Sequence, residues 1–92
     1  MNIYVRMFGR FRQQFWDRKE VSVTEGVSVL VAVKEVIDAL PDGGITLFDD
    51  KGNVRSHIIL MVNQKRIAHA DCNTTILHEG DELAVLPPVA GG

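Results

Sequence analysis

Three runs along the chain carry strand patterning. Ile3, Val5 and Met7 alternate with Asn2, Tyr4 and Arg6, which predicts a strand over Ile3–Phe8, closed by Gly9. Val21 and Val23 share one face of Glu20–Thr24, a second strand. Residues 9–19 read as a polar and aromatic turn, so the two strands form a hairpin. His57–Val62 is a continuous run between turn-formers, which suits a strand covered on both faces at the centre of a sheet.

The period changes between the second and third strands. Val29, Leu30, Val33, Val36, Ile37 and Leu40 recur at spacings of three and four, with Lys34, Glu35 and Asp38 on the other side. That predicts one amphipathic helix, with Ser28 as N-cap and Pro41-Asp42-Gly43-Gly44 as the stop. Its valines favour strand locally, and a strand over 27–33 is the rival reading. Phe48–Asn53 holds a tight-turn signature before Val54, and Asn63-Gln64-Lys65 a hairpin turn into Arg66-Ile67-Ala68. His78-Glu79-Gly80-Asp81 turns the chain into a last strand, Glu82–Leu86, which Pro87-Pro88 ends. The first and last strands can pair in parallel, with the rest of the chain as crossover. The fold class is α+β: a mixed sheet of four to five strands with one main helix packed across it, the β-grasp or ubiquitin-like order.

Ninety-two residues suffice for one domain and a modest core, burying roughly 60% of the unfolded surface. The division expected is a folded body over 1–86 and a flexible C-terminal tail over 87–92. Hydrophobic residues at 46% and charged residues at 24% fit a globular chain. The longest nearly unbroken apolar run, Val27–Val33, falls far short of the ~20 residues a bilayer span needs, so no membrane role is expected. No secretory signal opens the sequence, and the single cysteine, Cys72, fits a reducing compartment, so a cytoplasmic location is expected. A net charge of −2 gives no global field for nucleic acid. Arg6, Arg10, Arg12, Arg18 and Lys19 do cluster, and they read as a solvated hairpin face or a surface for acidic patches on an enzyme.

The chemistry lies in Leu86-Pro87-Pro88-Val89-Ala90-Gly91-Gly92. The prolines stop the strand and favour an extended chain. Val89 and Ala90 fit a narrow slot, and Gly91 and Gly92 pass where any Cβ would clash. A terminus built this way can carry the Gly92 carboxylate into another protein's active site. There ATP and Mg²⁺ would activate it as an acyl adenylate, and a sulfur nucleophile would displace AMP to leave a thiocarboxylate.

On these residues the chain resembles the MoaD family, the small sulfur-carrier subunit of molybdopterin synthase, and more distantly ThiS and the small archaeal ubiquitin-like modifiers. The matching pieces are Val5–Arg12, Leu47–Arg55, Ile58–Asn63 and, most specific, Glu79-Gly80-Asp81-Glu82-Leu83 followed by the tail. Gln64 departs from the glycine frequent after Asn63, and Arg10–Trp16 is heavier in basic and aromatic residues than the family pattern. The resemblance implies that the chain has no catalytic site of its own. Gly92 would be adenylated by a MoeB-type enzyme related to ubiquitin-activating enzymes and sulfurated by a sulfurtransferase system. Leu86, Pro87, Pro88, Val89, Ala90 and Gly91 would bind a MoaE-type large subunit that makes molybdopterin, the organic part of molybdenum or tungsten cofactor. ATP and Mg²⁺ would belong to the activating partner, and this chain would bind no cofactor itself. The same tail suits a modifier joined to lysines, or a carrier for thiamine or cysteine synthesis.

Other candidates have plainer readings. Phe11, Phe15 and Trp16 belong to the core or, since a hairpin cannot hide every aromatic, to an exposed docking patch. His57, His69, Cys72 and His78 match no tetrahedral metal spacing, and Asp49-Asp50 fails the calcium-loop pattern, so no metal site is expected.

Overall fold

The computed structural model describes residues 1–38, 40 and 43–87. Its strands are β1 (Asn2–Met7), β2 (Arg18–Ser22), β3 (Ile59–Val62), β4 (Lys65–Ile67) and β5 (Glu82–Leu86). Its helices are α1 (Arg10–Gln14), α2 (Val29–Asp38), α3 (Gly43–Leu47) and a 3₁₀ turn over His69–Asp71. The strands form one mixed sheet in the order β2-β1-β5-β3-β4. β1 and β5 pair in parallel with Tyr4 opposite Glu82 and Met7 opposite Val85, the pairing that the sequence order allows. All other neighbours are antiparallel.

Alternation fixes which face is buried. Ile3, Val5 and Met7 of β1, Leu83 and Val85 of β5 and Leu60 of β3 are almost wholly covered. Against them α2 buries Val29, Ala32, Val33, Val36 and Ile37. Each such aliphatic side chain gains roughly 1.5–3 kcal/mol from burial, against a few tenths lost to poor helix propensity. Packing therefore decides for helix, and the strand reading of 27–33 fails. Ser28 caps as expected: its Oγ accepts from the Val31 N–H at 3.3 Å.

Three expectations are corrected. Residues 9–19 are not a simple turn: Arg10–Gln14 is helical and β2 starts at Arg18. Phe11 is fully buried, Phe15 and Trp16 pack against the core, and the Trp16 indole N–H donates to the Val5 carbonyl at 2.9 Å. The proposed aromatic docking patch is thus spent on the core. Second, β3 is not central; β5 is, and its Leu83, Ala84 and Val85 are all buried. Third, Gly43-Gly44 does more than stop α2, because it opens α3. Pro41 and Asp42, named in the same stop signal, lie outside the described residues.

Two turns follow their residues closely. Asp49 Oδ1 accepts from the N–H groups of Lys51 and Asn53, and Gly52 takes a φ of 81°. Asn63 and Gln64 both have positive φ, 49° and 71°, which is the primed turn of a two-residue hairpin between β3 and β4.

Candidate functional site

β5 delivers the chain to its end, and the ladder explains why it stops there. Tyr4 N–H donates to the Asp81 carbonyl and, four residues on, Phe8 N–H donates to the Val85 carbonyl. In a parallel ladder the next rung would run from the N–H of residue 87 to the Phe8 carbonyl. Pro87 has no N–H, so the rung cannot form. The Phe8 carbonyl is instead capped by the Phe11 N–H at 3.1 Å, from the first turn of α1. One residue thus ends the sheet while its neighbour's carbonyl starts a helix. On the other side, Ile59 of β3 is the last residue paired, opposite Leu86.

The sheet face away from α2 surrounds this exit. Register places Tyr4, Arg6 and Phe8, then Glu82, Ala84 and Leu86, then Ile59 and Met61, on that face, because their neighbours in each strand point into the core. Phe8, Ile59, Met61 and Leu86 are half-buried, so an apolar strip borders the root of the tail. Arg6 and Arg18 flank it, with Nη1 and Nε at 3.8 and 3.5 Å from the two oxygens of Glu82. Arg18 also lies over the Tyr4 ring at 4.1 Å, and Arg6 over Phe8 at 4.9 Å. Arg66, exposed and opposite Met61, closes the far side. Such ion pairs contribute little stability, at most about 1 kcal/mol each. Their consequence is placement: both guanidiniums are held beside the strip by Glu82 and the Tyr4 and Phe8 rings.

Of the site residues expected from sequence, Leu86 and Pro87 stand at this exit. Pro88, Val89, Ala90, Gly91 and Gly92 lie outside the described residues. The strip itself was missed. Its signal was available, since Tyr4, Arg6 and Phe8 have the opposite phase to Ile3, Val5 and Met7.

Elsewhere the chemistry is muted. Burial pushes the Cys72 thiol up, with the nearby Asp71 adding in the same direction and the Cys72 backbone hydrogen bond and Lys34 opposing. Cys72 lines a cavity of about 350 Å³ with Leu30, Val54 and His69. His69 Nε2 donates to the Ile58 carbonyl, which fixes it as the protonated ring nitrogen. Among the described residues no three His, Cys, Asp or Glu side chains group to hold a metal, and no helix is long and apolar enough to cross a membrane.

Comparison with known proteins matches residues 5–92 to the model of the ThiS family. Small archaeal modifier protein 3 of Haloferax volcanii is 28% identical over 92 residues, with both chains covered in full. The molybdopterin synthase sulfur carrier subunit of Drosophila ananassae is 32% identical over 92 residues, covering all of this chain and 92% of the other. The crystal structure of SAMP1 from Haloferax volcanii superposes with a TM-score of 0.86 at 26% identity, each chain covered in full.

Proposed function

Because the chain belongs to the ThiS family, whose model spans nearly all of it, we propose that it is a sulfur carrier working through the carboxylate of Gly92. The observation that carries this is the exit at Pro87: a strand ended by a proline beside an apolar, arginine-flanked strip, followed in sequence by Pro88-Val89-Ala90-Gly91-Gly92. The strip gives a partner something to grip, and the terminal glycines leave its catalytic channel unobstructed.

The reaction divides between chain and partner. A Gly92 carboxylate oxygen attacks the α-phosphorus of ATP held with Mg²⁺ by a MoeB-type enzyme; the α–β phosphoanhydride breaks and pyrophosphate leaves. A sulfide nucleophile, released from the sulfurtransferase persulfide by a thiol reductant that becomes a disulfide, then attacks the acyl carbon. The C–S bond forms, the C–O bond to phosphate breaks, and AMP departs with the electron pair. The product is a thiocarboxylate with no side chain crowding the reacting carbon. Within this class the tail Pro87-Pro88-Val89-Ala90-Gly91-Gly92 and the similarity to a molybdopterin synthase sulfur carrier subunit favour delivery to a MoaE-type subunit in molybdopterin synthesis. We place this work in the cytoplasm.

A second reading rests on the full-length similarity to small archaeal modifier protein 3: the same adenylate accepted by a lysine amine, making an isopeptide bond. One reconstitution separates them. Wild-type protein and a variant lacking Gly92 are incubated with adenylating enzyme, ATP, sulfur donor, MoaE-type subunit and the sulfur-free pterin precursor. The carrier reading expects molybdopterin from the wild type alone. Lysine-linked conjugates without molybdopterin would favour the modifier, and product from the truncated variant would defeat both.

A further inference from the structure

Gly9, which closes β1, has tighter surroundings than Gly26, Gly44, Gly52 or Gly80. Its φ is 55° and its ψ −133°, a conformation costly for any residue with a Cβ. A Cβ built there would stand 2.9 Å from Pro87 Cγ and 3.6 Å from its Cδ, the first distance closer than real Cβ contacts allow. The ring of Pro87 therefore rests on bare backbone. That backbone is anchored on both sides: Phe8 N–H to Val85, and Gly9's own carbonyl to the Arg12 N–H at 3.2 Å. The helix behind it is held by buried Phe11. Pro87 fixes its own φ, and Leu86 before it is confined to extended conformations. Within these limits the bare backbone of Gly9 sets how closely the Pro87 ring approaches the sheet end.

We propose that Gly9 is a positioning residue for the tail: the seat of the Pro87 ring on its backbone sets the direction in which the chain leaves the sheet, and so where a partner bound to the outer strip receives the carboxylate. The proposal rests on the carrier reading. A side chain at position 9 displaces the ring and misdirects the tail, while the strip that provides affinity stays as it was.

Gly9→Ala is the perturbation, and Gly26→Ala its control. Gly26 also has a positive φ, 79°, with nothing within 4 Å of a built Cβ, so it tests the cost of a side chain at positive φ without the contact. In adenylation assayed by ATP–pyrophosphate exchange, Gly9→Ala lowers kcat about 10- to 100-fold, as an ångström-scale misplacement does, and leaves KM for the carrier near the wild-type value. Gly26→Ala leaves kcat unchanged. Pro87→Ala provides the second test, because adding Gly9→Ala to it costs little more: with the ring gone, there is nothing to displace. Equal kcat losses in Gly9→Ala and Gly26→Ala, or additive losses in the double variant, overturn the seat. An unaltered kcat in a folded Gly9→Ala protein does the same.

A second measurement needs no partner. Nuclear Overhauser contacts between the Gly9 α-protons and the Pro87 ring are expected in the wild type, retained in Gly26→Ala and lost in Gly9→Ala. Their absence from the wild type overturns the seat even if the protein is an active carrier. Wild-type protein that shows these contacts but never forms an adenylate defeats the carrier reading and leaves the seat standing.

Discussion

Phe11 is the sharpest test of how this fold uses its aromatic residues. Its side chain is fully buried, 6.1 Å from the Phe15 ring centroid, with the Arg10 guanidinium 5.6 Å from its own. Truncation to alanine removes a whole ring from a packed site and costs about 3–5 kcal/mol. A domain of this length has about 5–14 kcal/mol in total, so the variant is expected to be marginal. At about 4–8 °C per kcal/mol, the melting temperature falls by at least ~12 °C. Phe11→Leu keeps most of the apolar volume and is expected to lose under about 1.5 kcal/mol. Urea unfolding followed by Trp16 fluorescence measures both. A loss below about 1 kcal/mol in Phe11→Ala, at unchanged m-value, would mean that the ring lies on the surface and that α1 is available for docking after all.

Three further outcomes follow from particular contacts. Gln64→Gly relieves a φ of 71° in the β3–β4 turn and is expected to raise stability by about 0.5–1 kcal/mol in urea titration; a lower midpoint would contradict the turn assignment. Leu86→Glu places a charge on the outer strip, so KM for adenylation should rise at least ~10-fold with the fold intact, and a value within about twofold of wild type would remove the strip from the docking account. The folded-state pKa of Cys72 is raised, so the unfolded chain ionises first as pH rises. Stability is unaffected by this group below the ordinary thiol range and declines through it, above about pH 8.5. The decline should be shallower in Cys72→Ala, and identical slopes in the two proteins would refute the assignment.

Much of the fold was legible because the pattern and the turn chemistry agreed. Ile3-Val5-Met7 alternated, the α2 stripe kept its three-and-four spacing beyond the rival strand segment, Glu82–Leu86 was a short run bounded by a turn and Pro87-Pro88, and Asn63-Gln64 and Asp49–Asn53 had turn-forming residues at the right places. What escaped was whatever depends on distant partners. α1 is five residues long, has Gly9 as its N-cap without a side-chain cap bond, and lacks an acidic residue in its first turn, so nothing local announces it. It forms because Phe11 reaches the core. α3 opens with two glycines, residues that ordinarily end helices. The central place went to β5 rather than β3 because strand order is set by crossovers, which local composition does not record. The expectation for the tail rests on Pro87-Pro88 and Gly91-Gly92, of which Pro87 alone lies among the described residues, whereas the strip beside it had a signal in the opposite phase of Tyr4, Arg6 and Phe8 but needed the register to set Leu86, Ile59 and Met61 beside them.

The central claim is that Gly92 is the working atom group of this protein. Intact-mass spectrometry after incubation with adenylating enzyme, ATP and a sulfide donor tests it directly. The account predicts a gain equal to the difference between sulfur and oxygen, localised by fragmentation to Gly92. An unchanged mass, with no adenylate trapped when sulfide is withheld, would contradict it.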